Sequence, residues 1–306
     1  MTTRARIGPR PAAAVLAGLL LAAAGAAAAP PELHDRSWLP EGSLLESREV
    51  PAERLTVAAG AHGLAELGRL AFRSPDLLGG NARLSGIACQ TCHANGGANA
   101  DLFLPGLSDR PGSVDTAHRL WNPLADDGVD LALPIPSLQG VAGNAPYGAV
   151  ARMGSLRDFT RRVIVVEFAG PEPRPALLDA LVEYQLALAA PDAPAASTVA
   201  RGEAPADLPR YLAVLDRALA AEDAALAELV ARMIRAALGR MTATGEPGAV
   251  DPGAVDPAAV DPGRDPPFAG WARSVAALSR QAEAGRFAAA RASLSELSAS
   301  VGAVLR

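Results

Sequence analysis

Apolar residues recur at intervals of three, four and seven in several stretches of the chain, which is the spacing of amphipathic helices. The pattern predicts helices over about 62–72, 155–168, 174–189, 208–238 and 268–305, the fourth of them continuous and the last broken at Gly285. Ser155 is a good N-cap because Asp158 follows three residues later, an acidic variant of the capping box. Aromatic residues make up only 4% of the chain and alanine is abundant, which favours helices over sheets. We therefore predict a mainly α fold.

The first predicted helix carries a glycine one turn before a large aromatic residue. Gly68 and Phe72 share a face with Leu64 and Ala71, so bare backbone lies beside one bulky ring. Such a surface allows a second helix to cross closely, and the helix predicted over 174–189 is the matching partner. The alternative is that Gly68 and Phe72 are ordinary packing residues. Both interpretations place them in the core.

The only two cysteines of the chain lie in the stretch Cys89-Gln90-Thr91-Cys92-His93. The pattern C-x-x-C-H is typical of the covalent attachment of a c-type haem. Thiols at i and i+3 can each form a thioether with a haem vinyl group, and His93 can then ligate the iron as the proximal ligand. A redox dithiol normally follows a strand of a βαβ unit, and a structural zinc site needs four ligands; neither pattern is present. We therefore predict one covalently attached haem c.

The N-terminus has the pattern of a secretory signal peptide. Arg4, Arg6 and Arg10 precede an apolar run from Pro11 to Ala29 that ends in small residues suited to cleavage. Because haem is attached on the outer side of the bacterial membrane, we predict a signal peptide at 1–29 and a periplasmic protein. The run is just long enough to span a bilayer. Membrane anchoring through an uncleaved N-terminus is the lesser alternative, since most of the run is alanine.

Composition divides the rest of the chain into segments. We predict an N-terminal arm at 30–60, a cytochrome c-like haem domain at 61–192, a linker at 193–207 and a helical region at 208–306 with a Pro-rich spacer at 245–267. Trp38 and Leu39 are the candidate docking residues of the arm. The spacer contains Ala-Val-Asp-Pro three times, and each proline prevents helix and sheet pairing. The C-terminal helices can pack on one another, on the haem domain or on a helical partner, and these alternatives stay open.

A long segment rich in turn-forming residues, 95–144, follows the haem motif. Loops of this length inside a compact domain are usually functional. Its apolar side chains are expected to wrap the haem edge: Leu102, Phe103, Leu104, Leu107, Leu120, Trp121 and Leu124. We therefore predict a loop-rich cytochrome c-type haem domain followed by a C-terminal α-helical region.

Four blocks of sequence keep a fixed order around the motif. They are Leu67-Gly68-Arg69-Leu70-Ala71-Phe72-Arg73-Ser74-Pro75, then Leu84-Ser85 before the motif, then Pro136-Ser137-Leu138-Gln139-Gly140-Val141 with Ala145-Pro146-Tyr147, and finally Ser155-Leu156-Arg157-Asp158-Phe159. Together they resemble the bacterial di-haem cytochrome c peroxidase and MauG-like family over about residues 60–190. The resemblance implies a cytochrome c-type haem domain. Two features differ: the chain has one haem motif where the family has two, and Ala149 and Val150 stand where the family has His and Asp.

These differences bear on activity. Peroxide cleavage requires an open iron position and a positioned acid/base group, and neither Ala149 nor Val150 can transfer a proton. We therefore expect a carrier of single electrons that meets a redox partner protein. A peroxidase-like haem oxidoreductase with an open distal site, and a haem-based ligand sensor or partner-binding protein, are the alternatives. The net charge of −5 and the absence of a basic cluster make nucleic acid an unexpected partner.

The distal side of the haem needs its own candidate. In the family the distal ligand of the electron-transfer haem is a Met or Tyr, and the nearest position here is Val163, which cannot ligate. Met153 is the best substitute, because a thioether is a common sixth ligand and raises the potential; its alternative role is to fill a gap in the core. His118 is second, and an open site is third. His34 and His62 are expected to be structural.

Overall fold

The computed structural model describes residues 36–57, 63–199, 204–243 and 268–305. The predicted signal peptide at 1–29, the spacer at 245–267, His34 and His62 lie outside these residues. Within them the chain is mainly helical, which confirms the predicted fold class. No helix in this part of the chain is long and apolar enough to cross a membrane.

The helices range from four to 20 residues, and the longest loops among the described residues lie between α3 and α4. The helices are α1 (Gly63–Phe72), α2 (Gly80–Leu84), α3 (Cys89–Cys92), α4 (Leu156–Arg162), α5 (Pro175–Ala187), α6 (Leu208–Ala220), α7 (Ala224–Ala243), α8 (Phe268–Glu283) and α9 (Phe287–Val304). Two antiparallel strand pairs accompany them: β1 (Glu53–Leu55) with β4 (Ser197–Val199), and β2 (Ser113–Val114) with β3 (Leu133–Pro134).

Helices α1 and α5 cross in close contact, as the glycine pattern predicts. A Cβ atom added to Gly68 would lie 1.8 Å from the carbonyl oxygen of Ala180, so only glycine fits at this point. One turn further along α1, the rings of Phe72 and Tyr184 pack with their centroids 5.1 Å apart. Leu64 was expected on the same face but is 43% exposed, because it lies in the first turn of α1, beyond the crossing.

The N-terminal arm packs along the domain that follows it. Leu39 and Leu45 are buried, and Leu44 exchanges two backbone hydrogen bonds with Phe103. The expectation that Trp38 docks beside Leu39 is wrong in part, because the Trp38 side chain is about half exposed. The arm is therefore held by leucine side chains and by backbone pairing.

Strand β1 continues the arm and pairs with a distant segment of the chain. It lies antiparallel to β4. Beside this pair, the Arg54 guanidinium donates to the carbonyl oxygens of Ala190 and Ala193, at 2.9 and 2.6 Å. Strand β4 falls inside 193–207, where a linker is predicted, so this stretch is tied to the domain that precedes it.

Helices α6 to α9 pack on one another, and α6 also packs against α1. The apolar residues of both regions join one hydrophobic core. The prediction of one continuous helix over 208–238 is wrong, because the chain leaves the helical conformation at Glu222, where φ is +53°. The Asp223 carboxylate then accepts a hydrogen bond from Leu226 N at 2.9 Å and caps α7. The predicted break at Gly285 is confirmed, with φ at +70°.

The helix predicted to start at Ser155 begins as expected. The Ser155 hydroxyl oxygen accepts a hydrogen bond from Asp158 N at 3.2 Å, which caps α4. A π-helical turn, Val163–Glu167, follows α4 directly. In this turn Ile164 is fully buried, whereas Val163 is only partly buried against the core.

Candidate functional site

The two cysteines lie on one turn of helix. Helix α3 consists of Cys89–Cys92 alone, and the Thr91 hydroxyl accepts a hydrogen bond from Ala88 N at 3.1 Å to cap it. Both thiols are free and half-buried. Burial raises the pKa of each thiol to about 12, so both are protonated at neutral pH. They are neither a disulfide nor a pair of thiolates.

The imidazole of His93 is held by one backbone group. Its Nδ1 lies 3.0 Å from the carbonyl oxygen of Pro136. A carbonyl oxygen can only accept, so Nδ1 carries the proton and Nε2 of the neutral ring keeps its lone pair. Burial lowers the pKa of His93 to about 4, which keeps the ring neutral at pH 7. The side chain therefore has the tautomer and the charge that a metal ligand requires.

This donor set fits a c-type haem by its chemistry. Thioether formation needs two thiols at i and i+3 on a helix, and proximal ligation needs a neutral imidazole with a free Nε2. A ligating histidine almost always donates its other ring N–H to an oxygen, which fixes the ring and raises its basicity. Cys89, Cys92 and His93 supply the first two requirements, and the Pro136 carbonyl supplies the third.

A turn directly after His93 holds the motif against its surroundings. Asn95 is fully buried in the left-handed conformation, with φ at +51°. Its backbone N–H donates to Gln90 Oε1 at 3.1 Å, and Gln90 Nε2 donates to Asn95 Oδ1 at 3.3 Å. The Asn95 Nδ2 donates to the Pro51 carbonyl of the arm at 2.9 Å. This reciprocal pair, the Gln90–Asn95 clamp, ties the motif to the arm.

A group of buried charges lies behind the clamp and was not found from the sequence. Glu53, Arg69, Arg73 and Asp207, here called the buried ion network, are each no more than 3% exposed. The Glu53 carboxylate accepts hydrogen bonds from Arg69 Nε at 2.8 Å and from Arg73 Nη2 at 2.9 Å. Arg69 also pairs with Asp207, Nη1 to Oδ1, at 3.0 Å. The network therefore links the arm, α1 and the start of α6.

The Glu53 carboxylate stays ionised in these surroundings. Burial alone would raise its pKa, but the positive charges of Arg73 and Arg69, together with the hydrogen bonds from Arg69 and Tyr184, outweigh burial and lower the pKa to about 2. Arg73 Nη2 also donates to Asn95 Oδ1 at 3.1 Å. The buried ion network and the clamp at the haem motif thus share one guanidinium.

Met153 and His118, the two candidate distal ligands, lie on different loops. Met153 is half-buried and forms an antiparallel bridge with Tyr147, with backbone N–O distances of 2.7 and 2.8 Å. His118 is also half-buried, and its Nδ1 accepts a hydrogen bond from Leu120 N at 3.1 Å. That bond places the proton of the neutral ring on Nε2, which removes the lone pair that iron would need there.

Most of the apolar side chains predicted to wrap the haem edge from the loop after the motif are buried. Leu102, Leu104, Leu107 and Trp121 are buried, and Trp121 Nε1 donates to the Asp115 carbonyl at 2.9 Å. Leu124 was predicted to belong to this group, but its side chain is 97% exposed. The buried group therefore ends before Leu124.

The described ranges contain no group of three or more His, Cys, Asp and Glu side chains that could hold a bare metal ion. A haem brings its own porphyrin nitrogens, so the protein supplies only the axial ligands. Comparison of the chain with protein-family models, with curated proteins and with solved structures finds no match. The resemblance to the di-haem peroxidase and MauG-like family therefore rests on the sequence blocks alone.

Proposed function

We propose that the protein is an exported mono-haem c-type cytochrome that carries single electrons. Cys89 and Cys92 attach the haem through thioether bonds, and His93 is the proximal ligand. The observation that carries the proposal is the hydrogen bond of 3.0 Å between His93 Nδ1 and the Pro136 carbonyl, next to two free cysteines. It leaves Nε2 of a neutral imidazole as the donor atom, which is the state that ligation needs.

The residues of the chain have separate tasks in this proposal. The bound haem supplies a one-electron couple at its iron. The Pro136 carbonyl orients the His93 ring and raises its basicity. The buried leucines and Trp121 of the loop exclude water from the haem surroundings, which is one of the means by which a protein sets the potential. Met153 is the proposed distal ligand, since its thioether needs no particular tautomer and His118 has the wrong one.

Location and partner belong to the same proposal. The signal-peptide pattern at 1–29 and the C-x-x-C-H motif both favour the periplasm. An electron carrier requires a donor and an acceptor of electrons, and the proposal includes a redox partner protein. The apolar faces of α6 to α9 are covered by one another and by α1, so the proposal assigns no helical partner to this region.

The direct test is covalent haem incorporation. The full chain is expressed with its N-terminus in a bacterium that attaches haem in its periplasm, and purified protein is denatured and tested for haem that stays with the polypeptide. We expect one haem per chain, and a mass increase equal to one haem. Cys89→Ser and Cys92→Ser should each lose one thioether, and the double variant should lose covalent haem altogether.

A matched control excludes a general loss of haem in unstable variants. Ser279→Ala removes a buried hydroxyl in α8, far along the chain from the motif, and should leave incorporation unchanged. Protein that is folded, exported and free of covalent haem would overturn the proposal.

A further inference from the structure

The turn that follows His93 determines the position of the Pro136 carbonyl, which orients the His93 ring. Gly96 N donates to the His93 carbonyl at 2.9 Å, and Leu138 N donates to the Gly96 carbonyl at 2.7 Å. The segment that contains Pro136 is therefore hydrogen-bonded to the turn only two residues after its contact with the imidazole. A shift of the turn moves the Pro136 carbonyl relative to Nδ1 of His93.

The turn itself depends on the buried side chain of Asn95. Asparagine tolerates the left-handed conformation because its short polar side chain can hydrogen-bond locally. Here that side chain reaches Gln90, the Pro51 carbonyl and Arg73 at 3.3, 2.9 and 3.1 Å. Every hydrogen-bonding atom of the carboxamide is therefore used in fixing the turn.

Arg73 connects the turn to a fixed charge. Its Nη2 donates both to Asn95 Oδ1 and to the Glu53 carboxylate, at 3.1 and 2.9 Å. The guanidinium is buried, and its Nε and Nη1 have no hydrogen-bond partner among the described residues. Loss of either contact would leave this cation with a single partner, so the guanidinium and the turn are locked together.

We propose that Asn95 and Arg73 are positioning residues of the haem site, which set the hydrogen bond between His93 and the Pro136 carbonyl and thereby the reduction potential of the haem. This inference rests on the proposed function. A strong Nδ1–H···O bond gives the imidazole more electron density and stabilises oxidised iron. Weakening the bond through the turn therefore raises the potential.

The test compares reduction potentials of haem-loaded full-length variants by spectroscopic redox titration. Asn95→Gly keeps a residue that accepts positive φ and removes the carboxamide; we expect the potential to shift to more positive values. Gln90→Ala removes the side chain that pairs with Asn95 in the clamp, at a half-buried position. It should shift the reduction potential in the same direction by a smaller amount. Gln90→Ala also serves if Asn95→Gly does not fold.

A matched control separates positioning from stability. Asp207→Asn weakens the same buried ion network at its far end, where Arg69 and not Arg73 is the partner. It should lower the free energy of unfolding and leave the potential unchanged.

Either of two results would overturn the inference. In the first, Asn95→Gly and Gln90→Ala both have the reduction potential of the unaltered protein. In the second, Asp207→Asn shifts the potential as much as Asn95→Gly does. Failure of the proposed function has a different signature, namely that the unaltered protein carries no covalent haem.

Discussion

The Arg69 guanidinium and the Asp207 carboxylate form an ion pair with an Nη1–Oδ1 distance of 3.0 Å, and both side chains are almost inaccessible to solvent. Arg69 lies in α1, one residue after the glycine at the helix crossing, and Asp207 directly precedes α6. The pair therefore joins the domain of the haem motif to the C-terminal helices inside the protein.

Removal of the Asp207 charge should destabilise the whole fold. Breaking a buried pair by removing one partner costs about 3–5 kcal/mol, because the remaining charge stays buried without compensation. We expect Asp207→Asn to lose less than this in urea unfolding, since Arg69 keeps its pair with Glu53 and the amide can still accept a hydrogen bond. Asp216→Asn is the control: its pair with Arg291 is half exposed, and solvent screens it, so the unfolding curve should hardly change. Equal losses in the two variants would contradict the prediction.

Substitution of Gly68 should disrupt the helix crossing. In Gly68→Ala the new Cβ would meet the Ala180 carbonyl at 1.8 Å, and α1 and α5 would have to separate. Overpacking of this severity costs about 3 kcal/mol or more. Gly302→Ala in α9 is the matched control, because no heavy atom lies within 4 Å of its added Cβ. There alanine should be neutral or raise stability by up to about 1 kcal/mol through helix propensity.

Acid should weaken the protein through Glu53. Its pKa is about 2 in the folded protein and 4.5 as the ordinary value. Because the folded pKa is the lower one, the stabilisation is complete above pH 4.5 and is lost as the pH falls toward 2. The full contribution is about 3 kcal/mol, at about 1.36 kcal/mol for each pKa unit.

The pH effect is measured as the free energy of unfolding at about pH 5.5 and about pH 3, in the unaltered protein and in Glu53→Gln. The variant has no carboxylate to protonate at this site and should lose less stability between the two pH values. The same loss in both proteins would assign the acid sensitivity to other carboxylates.

Met153→Leu should open the sixth position of the iron. Leucine has a similar volume but no ligating sulfur. We expect the reduced variant to bind carbon monoxide and its potential to fall, since thioether ligation raises the potential. Met233→Leu, at a buried position in α7, should change neither. Carbon monoxide binding by the unaltered protein would instead favour an open site and the peroxidase-like or sensor alternative.

The features that depend on local pattern could be predicted from the sequence. Gly68 and Phe72 predict the crossing of α1 with α5, because a helix surface without a side chain at one position allows a second helix to approach closely there. Ser155 predicts the start of α4 because the hydrogen bond of an N-cap involves only the next three residues. The C-x-x-C-H motif fixes the candidate ligands, but not the carbonyl of Pro136 that determines the tautomer of His93.

The buried ion network could not be found in the same way. Charged side chains are normally exposed, and Glu53 and Asp207 stand in segments that resemble surface loops. One signal was available: Arg69 lies next to Gly68 on the helix predicted over 62–72, and Arg73 follows Phe72 directly, so both arginines stand beside residues predicted to be in the core. The break at Glu222 has a weaker signal, because neither Gly nor Pro occurs there and only Asp223, a residue type favoured at N-caps, marks the start of a new helix.

The buried ion network also imposes an order of events on a chain that is made from its N-terminus. Asp207 follows His93 by 114 residues, so the network is incomplete for as long as that stretch is still being synthesised. Long-range contacts of this kind form late, since a large loop must close first. The thiols of Cys89 and Cys92 therefore emerge well before Asp207, the last charge of the network. Under the proposed function, an enzyme that attaches haem to these thiols would therefore meet them in a chain whose ion network is still incomplete.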